Sequence, residues 1–204
     1  TPHSSVHLVR ILAEAGVPDG VANLVLGTGQ GCGGPLSSDP RVDLVSFTGS
    51  LAVGRHLMAA AAPTVKRVAL ELGGKSPNIV FADADREAAL DNAMTAVFLH
   101  SGQVCSAGAR LLVEESIADD FVDEIIRRAR GIRLGGPFDD AAQSGPLTSE
   151  AHLRKVEGYV AAGVAEGARL RLGGERATGD GLDAGFFFPP TVFDRCRSDM
   201  SIVQ

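Results

Sequence analysis

The amino-acid sequence predicts an α/β fold with a largely parallel sheet. Short apolar runs that suit buried strands alternate along the chain with longer segments whose apolar residues recur at helical spacing. Glycine, proline or aspartate residues separate most of these segments, as expected for the connections of a layered fold. With 204 residues, the chain can bury a sizeable core in one large domain or in parts of two.

The first predicted elements are one helix and two strands. Residues 6–15 carry leucine and isoleucine at helical spacing, and Gly16 is expected to end this helix. Residues 21–26 and 44–48 are apolar, are bounded by glycine and aspartate, and suit buried strands.

The next part of the chain is predicted to contain a capped helix followed by two strands. Ser50 can cap a helix over residues 51–62, which Pro63 would end. Residues 67–72 and 78–81 are predicted to form the next two strands.

Two helices and a strand are predicted in the middle of the chain. A helix capped by Asp83 or Asp85 and reaching about Leu99 is apolar on several sides, so we expect it to be buried. Residues 109–113 suit a strand. Residues 117–130 suit an amphipathic helix, with acidic residues early and arginines late, as the helix dipole favours.

The last part of the chain is predicted to hold one helix and two short strands. The helix stops near Gly167, and its apolar stripe consists of Leu153, Val156, Val160 and Val164. Residues 170–172 and 191–193 are strand candidates, and residues 178–185 suit an exposed loop because they are rich in glycine and aspartate.

Composition excludes several classes of function. A net charge of −6 without a basic stripe argues against a nucleic-acid partner. No apolar run approaches membrane-spanning length, and no signal-peptide pattern is visible, so no membrane association is expected. The three cysteines have no metal-ligand spacing and predict neither a metal site nor a disulfide framework, which favours a reducing cytoplasm.

A glycine-rich run over residues 27–33 invites comparison with a dinucleotide-binding fingerprint. Its sixth position is Cys32, so the pattern G-x-G-x-x-G is not met, and Pro35 and two serines follow as poor helix material. A flexible turn and a phosphate contact are equally compatible with Gly29 and Gly33 on this basis.

A second run, SFTGSLAVG over residues 46–54, ends a predicted strand and opens a predicted helix. Backbone N–H groups and the helix dipole at Gly49 and Ser50 could receive a pyrophosphate. An ordinary capped helix explains the same residues without a ligand. The spacing from Gly49 to Gly54 is G-x-x-x-x-G, which differs from the usual Rossmann pattern.

Glu71 closes a predicted strand within the run LELGGKSP. The carboxyl ends of strands face the ligand crevice of open α/β sheets, so this carboxylate could reach a bound substrate. Gly73 and Gly74 would let the backbone turn sharply beside it. The alternative is a solvated or ion-paired acid, the commoner fate of a single glutamate.

Cys105 lies in the run GQVCSAG between a predicted helix and a predicted strand, and therefore in a turn held by two fixed elements. Such a thiol is positioned without being packed away, as a reactive cysteine requires. A buried, inert cysteine is the alternative, and it is expected for Cys196 and Cys32. His100 suggests a rival Cys–His pair, although a histidine there is more often a surface or supporting residue.

The three runs around Ser50, Glu71 and Cys105, their order and the 34-residue separation of the last two residues resemble the NAD(P)-dependent aldehyde dehydrogenases. The resemblance covers essentially the whole chain. It implies that residues 1–73 form the C-terminal part of a Rossmann-like cofactor domain and residues 74–204 the N-terminal part of an α/β catalytic domain, both incomplete. The chain begins at Thr1 rather than with methionine and ends at Gln204 without a helix or turn signal. A processed chain would explain the first observation, but we expect an internal piece of a longer protein, and a poor enzyme by itself.

The resemblance also implies roles. The Cys105 thiolate would attack an aldehyde to give a thiohemiacetal, hydride transfer to NAD, or to NADP, would leave a thioester, and Glu71 would activate the water that hydrolyses it. The backbone N–H of Cys105 would form half of an oxyanion hole. The implied cofactor contacts are Gly29, Gly33, Phe47, Gly49, Ser50, Val53, Gly54 and Leu72, with Ser50 at a phosphate and Val53 against the adenine. The parent protein is expected to act on a small-molecule aldehyde as a homodimer or homotetramer.

Two other classes of function stay open at this point. Cys105 with His100 or Glu71 could serve a cofactor-independent cysteine esterase or thioesterase. The chain could also be an inactive nucleotide-binding fragment.

Overall fold

The computed structural model describes residues 2–204, and the chain divides into two compact units. The first unit ends at Leu72 and the second begins at Gly73. Helices and paired strands occur in both, which confirms the predicted α/β class. The assignment of the units to a cofactor domain and a catalytic domain, with a boundary after residue 73, stays a prediction.

The elements of the described residues are named in chain order. The helices α1 to α6 span Pro2–Glu14, Gly34–Ser38, Leu51–Ala61, Arg86–Phe98, Ala118–Arg130 and Glu150–Ala165. The strands β1 to β6 span Leu44–Gly49, Arg67–Leu72, Pro77–Val80, Arg110–Val113, Arg169–Leu172 and Val192–Asp194. Short turns of helix cover Gly29–Gly33, Ala62–Thr64, Leu99–Gly102, Glu115–Ile117 and Leu182–Ala184. Within residues 2–204, no helix combines the length and the apolar character that crossing a membrane requires.

In the first unit, β1 and β2 pair in parallel, with Gly49 opposite Leu72. Helix α3 packs against both strands. Its start confirms the predicted cap, because Ser50 has an extended backbone and its hydroxyl accepts a hydrogen bond from the Val53 N–H over 3.4 Å. Pro63 lies in the short 3₁₀ turn that ends the helix, as predicted. These features set the direction in which the chain leaves the end of β1.

The prediction of a strand over residues 21–26 is wrong. This run is irregular, and Val21, Val25 and Leu26 are exposed. A strand needs a neighbour whose backbone groups pair with its own, and in the described part of the first unit only β1 and β2 pair in this way. Apolar composition alone therefore does not make these residues a strand.

Helix α2 forms where the sequence predicts poor helix material. Pro35 lies in its first turn, where a missing N–H and a fixed φ do not disturb the helix. The hydroxyl of Ser37 donates to the Gly34 carbonyl over 2.7 Å, and α2 packs against α3. A single helical turn is thus stabilised by its neighbour.

Lys66 is a buried cation, 8% exposed, directly before β2. Its Nζ donates to the carbonyls of Ser37 and Asp39 over 2.9 Å and 2.6 Å. Its backbone N–H donates to the carbonyl of Ala61, the last residue of α3. A cation is favoured at the carbonyl end of a helix, and its burial is tolerated because it is hydrogen-bonded. Lys66 therefore joins the ends of α2 and α3 to the beginning of β2.

In the second unit, β3 pairs in parallel with β4, and α4 packs against α5 beside this pair. The buried residues of this core are Val80, Leu90, Ala93, Phe121 and Ile125. The prediction that α4 is buried holds for one face only, since Leu90 and Ala93 are its buried residues. Its other face is polar and carries Glu87 and Asp91.

Helix α5 confirms the predicted order of acidic and basic residues. Arg128 pairs with Glu87 and Asp91 of α4 at 2.6 Å and 2.7 Å, and with Glu124 of its own helix at 2.8 Å. Hydrogen bonds from Arg127 and Arg128 lower the pKa of Glu124 from 4.5 to about 2. The acidic residues on the exposed face of α4 therefore connect this helix to Arg128 of α5.

The strands of residues 2–204 form three separate pairs, and only β1–β2 and β3–β4 are parallel. The pair β5–β6 is antiparallel, which corrects the prediction of a largely parallel sheet in this part of the chain. Ser149 caps α6, which contributes Leu153 to a second core with Leu147 and Phe188. Residues 178–185 are mostly exposed, as predicted.

Replacing Lys66 with methionine should destabilise the protein by about 1.5–3 kcal/mol, because two carbonyls lose a charged donor in a buried position. The measurement is the urea midpoint of the complete gene product. Lys155→Met is the matched control, since Lys155 is exposed and lies 5.9 Å from the ring centroid of Tyr159, and it should cost less than about 1 kcal/mol. Equal losses in the two variants would contradict the role of Lys66.

Candidate functional site

The first candidate segment lies where β1 and β2 of the first unit end. Thr48 is opposite Glu71 and Gly49 is opposite Leu72, so both strands finish at one edge. Ser50 follows at once and caps α3, whose other first-turn N–H groups have no acceptor within the helix. Glu71 is exposed at the same edge. The edge therefore combines a helix N-terminus, whose free N–H groups favour negative charge, with an exposed carboxylate.

Two of the predicted cofactor glycines are required by packing at this edge. A Cβ on Gly49 would overlap the ring of Phe47. A Cβ on Gly54 would lie 3.0 Å from the Cδ2 atom of Leu72, and Gly54 is buried. Gly49 is therefore a close neighbour of Phe47, and Gly54 of Leu72. The absence of a side chain at Gly54 lets α3 approach β2 closely.

Gly29 and Gly33 lie in the turn that precedes α2. Thr28 organises this turn, because its hydroxyl accepts a hydrogen bond from the Gly31 N–H over 3.0 Å. Lys66, at the beginning of β2, contacts the ends of both α2 and α3, and the two helices pack against each other. A phosphate contact of Gly29 and Gly33 stays a prediction.

The second candidate segment carries Cys105, which lies in a turn between Leu99–Gly102 and β4 and is exposed, as predicted. Gly108 holds the far side of this turn. Its N–H donates to the Ala96 carbonyl over 3.0 Å, and a Cβ on it would lie only 3.2 Å from Asn78 Cβ. The thiol is therefore accessible while the backbone behind it is tightly packed.

The near side of the turn contains features that the sequence analysis missed. His100, Ser101 and Gly102 are consecutive residues with positive φ, at 49°, 57° and 74°. Ser101 and Gln103 bond to residues 144–148, more than 40 positions further along the chain. The only sequence signal is Gly102, which permits a left-handed conformation. The hydrogen bonds to residues 144–148 leave no pattern in the sequence around residue 101, because their partners are distant in the chain.

The other cysteines differ from the prediction. Cys196 is exposed rather than buried, because it follows β6 in an open turn. Surrounding protein atoms nevertheless raise the pKa of its thiol, and the Asp194 carboxylate raises it further. Cys32 is half-buried, with its sulfur against Gly27. His100 is exposed, which agrees with a surface residue more than with a buried partner for the thiol.

A cleft of about 720 Å³ in the second unit contains none of the predicted site residues. It is open and lies between two loops, which contribute Arg133, Asp139, Pro146, Asp180 and Phe187. Its volume alone does not make this cleft a binding site, so the exposed thiol of Cys105 remains the candidate reactive group of the second unit. Cys105 belongs to the second unit and Glu71 to the first, so their catalytic pairing stays a prediction.

Comparisons with known proteins give consistent results. The aldehyde dehydrogenase family model matches residues 1–204. Betaine aldehyde dehydrogenase of Bacillus subtilis (strain 168) is 53% identical over the whole chain, which covers 42% of that protein. A crystal structure of betaine aldehyde dehydrogenase from Staphylococcus aureus in complex with NAD+ matches with 46% identity and a TM-score of 0.96, over 98% of this chain and 40% of its own. The crystal structure of HpcC from Thermus thermophilus matches with 47% identity and a TM-score of 0.96, over 100% of this chain and 40% of its own. The chain thus spans about two fifths of the length of these relatives.

Proposed function

Because the chain belongs to the aldehyde dehydrogenase family, we propose that the complete gene product oxidises an aldehyde to its carboxylic acid, with NAD+ as hydride acceptor and Cys105 as nucleophile. The exposed thiol of Cys105, on a turn whose backbone is held on both sides, carries the proposal. NAD+ is chosen over NADP+ because the Staphylococcus aureus relative is in complex with NAD+. A reducing cytoplasm suits the proposed thiol chemistry.

The chemistry begins at the sulfur of Cys105. Its thiolate attacks the carbonyl carbon of the aldehyde, a C–S bond forms, and the carbonyl oxygen becomes the alkoxide of a thiohemiacetal. The backbone N–H of Cys105 would donate to this oxygen and stabilise its charge. Bound NAD+ supplies the acceptor for the hydride that leaves the former carbonyl carbon. The thioester that remains on Cys105 is readily hydrolysed, which suits a cysteine nucleophile.

Glu71 is the proposed general base of the hydrolytic half-reaction. It takes a proton from water, the water oxygen attacks the thioester carbon, and the C–S bond breaks to release the acid and the thiolate. Its exposed position near the carboxyl end of β2 supports this role, since substrates of α/β proteins bind beyond the carboxyl ends of strands. General-base assistance is typically worth about 10²–10⁴ in rate.

The start of α3 is the proposed site of the cofactor's pyrophosphate. The unpaired first-turn N–H groups and the helix dipole suit an anion there, with the hydroxyl of Ser50 at a phosphate. Val53 is exposed on the first turn of the helix and could lie against the adenine. Gly29, Gly33, Phe47, Gly49, Gly54 and Leu72 complete the proposed set of contacts.

Betaine aldehyde is the first substrate to assay, because a relative 53% identical to the chain is a betaine aldehyde dehydrogenase. Val104 and Ser106, beside the thiol, are small side chains that leave room for a small aldehyde. An uncharged aldehyde of similar size should be assayed in parallel. A ratio of kcat/KM between the two then measures what the quaternary ammonium contributes.

Replacing Cys105 with alanine should abolish aldehyde-dependent NADH formation, lowering kcat by at least about 10³-fold, because no other thiol can replace the nucleophile. Cys196→Ala is the control and should keep full activity, since Cys196 lies in a separate turn after β6. Undiminished activity of the Cys105 variant would eliminate the thiol mechanism. If the unaltered protein hydrolyses esters but forms no NADH with any aldehyde tested, the result would favour a cysteine hydrolase instead.

Replacing Glu71 with glutamine should preserve an initial burst of NADH but slow the steady state by about 10²–10⁴-fold, because deacylation loses its base. Stopped-flow absorbance separates the burst from the steady rate. Glu115→Gln, which removes an exposed carboxylate at the start of a short 3₁₀ turn, is the control and should leave both phases unchanged. An unaltered steady state in the Glu71 variant would remove Glu71 from the role of base.

A further inference from the structure

The turn that leads into Cys105 is held in an unfavourable backbone conformation. His100 and Ser101 are not glycines, yet both have left-handed φ and ψ values, at 49° and 39° and at 57° and 33°. Gly102 continues the left-handed run with a φ of 74°. Each non-glycine residue in this region is disfavoured, and such conformations persist only where surrounding contacts enforce them.

The side chain of Ser101 supplies one such contact. Its hydroxyl donates a hydrogen bond of 2.7 Å to the carbonyl of Gly145. The hydroxyl oxygens of Ser101 and Ser144 are 3.0 Å apart. Because the one proton of Ser101 goes to Gly145, Ser144 is the donor in the second bond. Ser101 is therefore bound twice to one short segment of the chain.

That segment is itself firmly held. The N–H of Ser144 donates to the Arg133 carbonyl, and the carbonyl of Ser144 accepts from the Gly135 N–H, over 3.1 Å and 3.0 Å. Leu147 is 6% exposed and lies in the core with Leu153 and Phe188. Ser101 therefore attaches the turn to a fixed part of the second unit.

Gln103 makes a parallel attachment on the other side of Gly102. Its Oε1 accepts a hydrogen bond from the Thr148 N–H over 3.1 Å, and its own N–H donates to the His100 carbonyl over 3.1 Å. The side chains of Ser101 and Gln103 therefore both form hydrogen bonds to residues 144–148, one on each side of Gly102. Cys105 follows two residues later and, being exposed, has little packing of its own to set its direction.

We infer that Ser101 is a positioning residue for Cys105: its hydrogen bonds to Gly145 and Ser144 hold the left-handed turn that directs the sulfur towards the aldehyde carbon. The inference rests on the proposed role of Cys105 as nucleophile. Ser144 acts through Ser101, because its hydroxyl donates to the Ser101 hydroxyl and leaves the bond to Gly145 in place. The hydroxyl of Ser101, and not merely the shape of the backbone, is the required group.

The test uses the complete gene product and measures the rate constant and the amplitude of the NADH burst. The labelling of Cys105 by iodoacetamide is measured separately. Ser101→Ala should lower the burst rate constant by about tenfold, because a misdirected nucleophile loses its approach geometry. Labelling of Cys105 by iodoacetamide should stay within about twofold, since alkylation needs exposure but no defined approach. A loss of folding alone would lower the burst amplitude and leave the burst rate constant unchanged, because the rate constant does not depend on the amount of active enzyme.

Ser101→Gly separates the hydroxyl from the backbone. Glycine adopts the left-handed conformation freely but has no hydroxyl, so this variant should be impaired like Ser101→Ala. A normal burst in the glycine variant would overturn the inference, because the backbone conformation would then suffice. Ser116→Ala, which removes a hydroxyl bonded to Glu114, is the matched control and should leave the burst unchanged.

Ser144→Ala should lower the burst rate constant by about two- to threefold, and the double variant should match Ser101→Ala, because Ser144 acts through Ser101. Additive losses would overturn this order of action. If Ser101→Ala does not fold, Ser144→Ala decides alone, and an unchanged burst in it contradicts the inference. Activity that survives in Cys105→Ala would instead reject the proposed function, whatever the serine variants do.

Discussion

Parallel pairing of β1 with β2 sets the positions of the candidate site residues Ser50 and Glu71 in the first unit. Gly49 opposite Leu72 means that β1 and β2 end together, so Ser50 and Glu71 leave the sheet at one edge. A slip of one residue in this register would turn the side chain of Glu71 to the other face of the sheet. Lys66 opposes such a slip, because it binds the start of β2 to the ends of both neighbouring helices.

In the second unit the constraint acts on the backbone around Cys105, whose thiol is exposed. Side-chain packing contributes little at Cys105 because the residue is exposed, and an accessible thiol is what the proposed reaction requires. The backbone around it is fixed instead, by Gly108 against Asn78 and Ala96 on one side and by Ser101 and Gln103 on the other. Two left-handed residues cost about 1–2 kcal/mol each, and hydrogen bonds worth about 0.5–1.5 kcal/mol each can offset this. The hydrogen bonds to residues 144–148 are therefore comparable in size to the cost of the left-handed conformation.

Structural features are predictable from the sequence where their cause is local. The cap at Ser50, strand β2 and the charge order of α5 follow from residues within one turn or one strand, and the exposure of Cys105 follows from its place between two elements. They are not predictable where a contact with a residue distant in the chain decides the local structure. Residues 21–26 have the composition of a strand but no strand beside them, α2 depends on α3, and Ser101 finds Gly145 only after folding. Cys196 is exposed although the sequence predicts a buried cysteine, because an irregular segment follows β6 and composition does not reveal it.

The central claim is that the acyl group formed from the aldehyde is carried by the sulfur of Cys105. The most direct measurement is peptide mass spectrometry of the Glu71→Gln protein, quenched in acid after mixing with aldehyde and NAD+. The account predicts that the peptide containing Cys105 gains the mass of the acyl group only when both reactants are present. Formation of NADH with the acyl group on another residue, or on none, would contradict it.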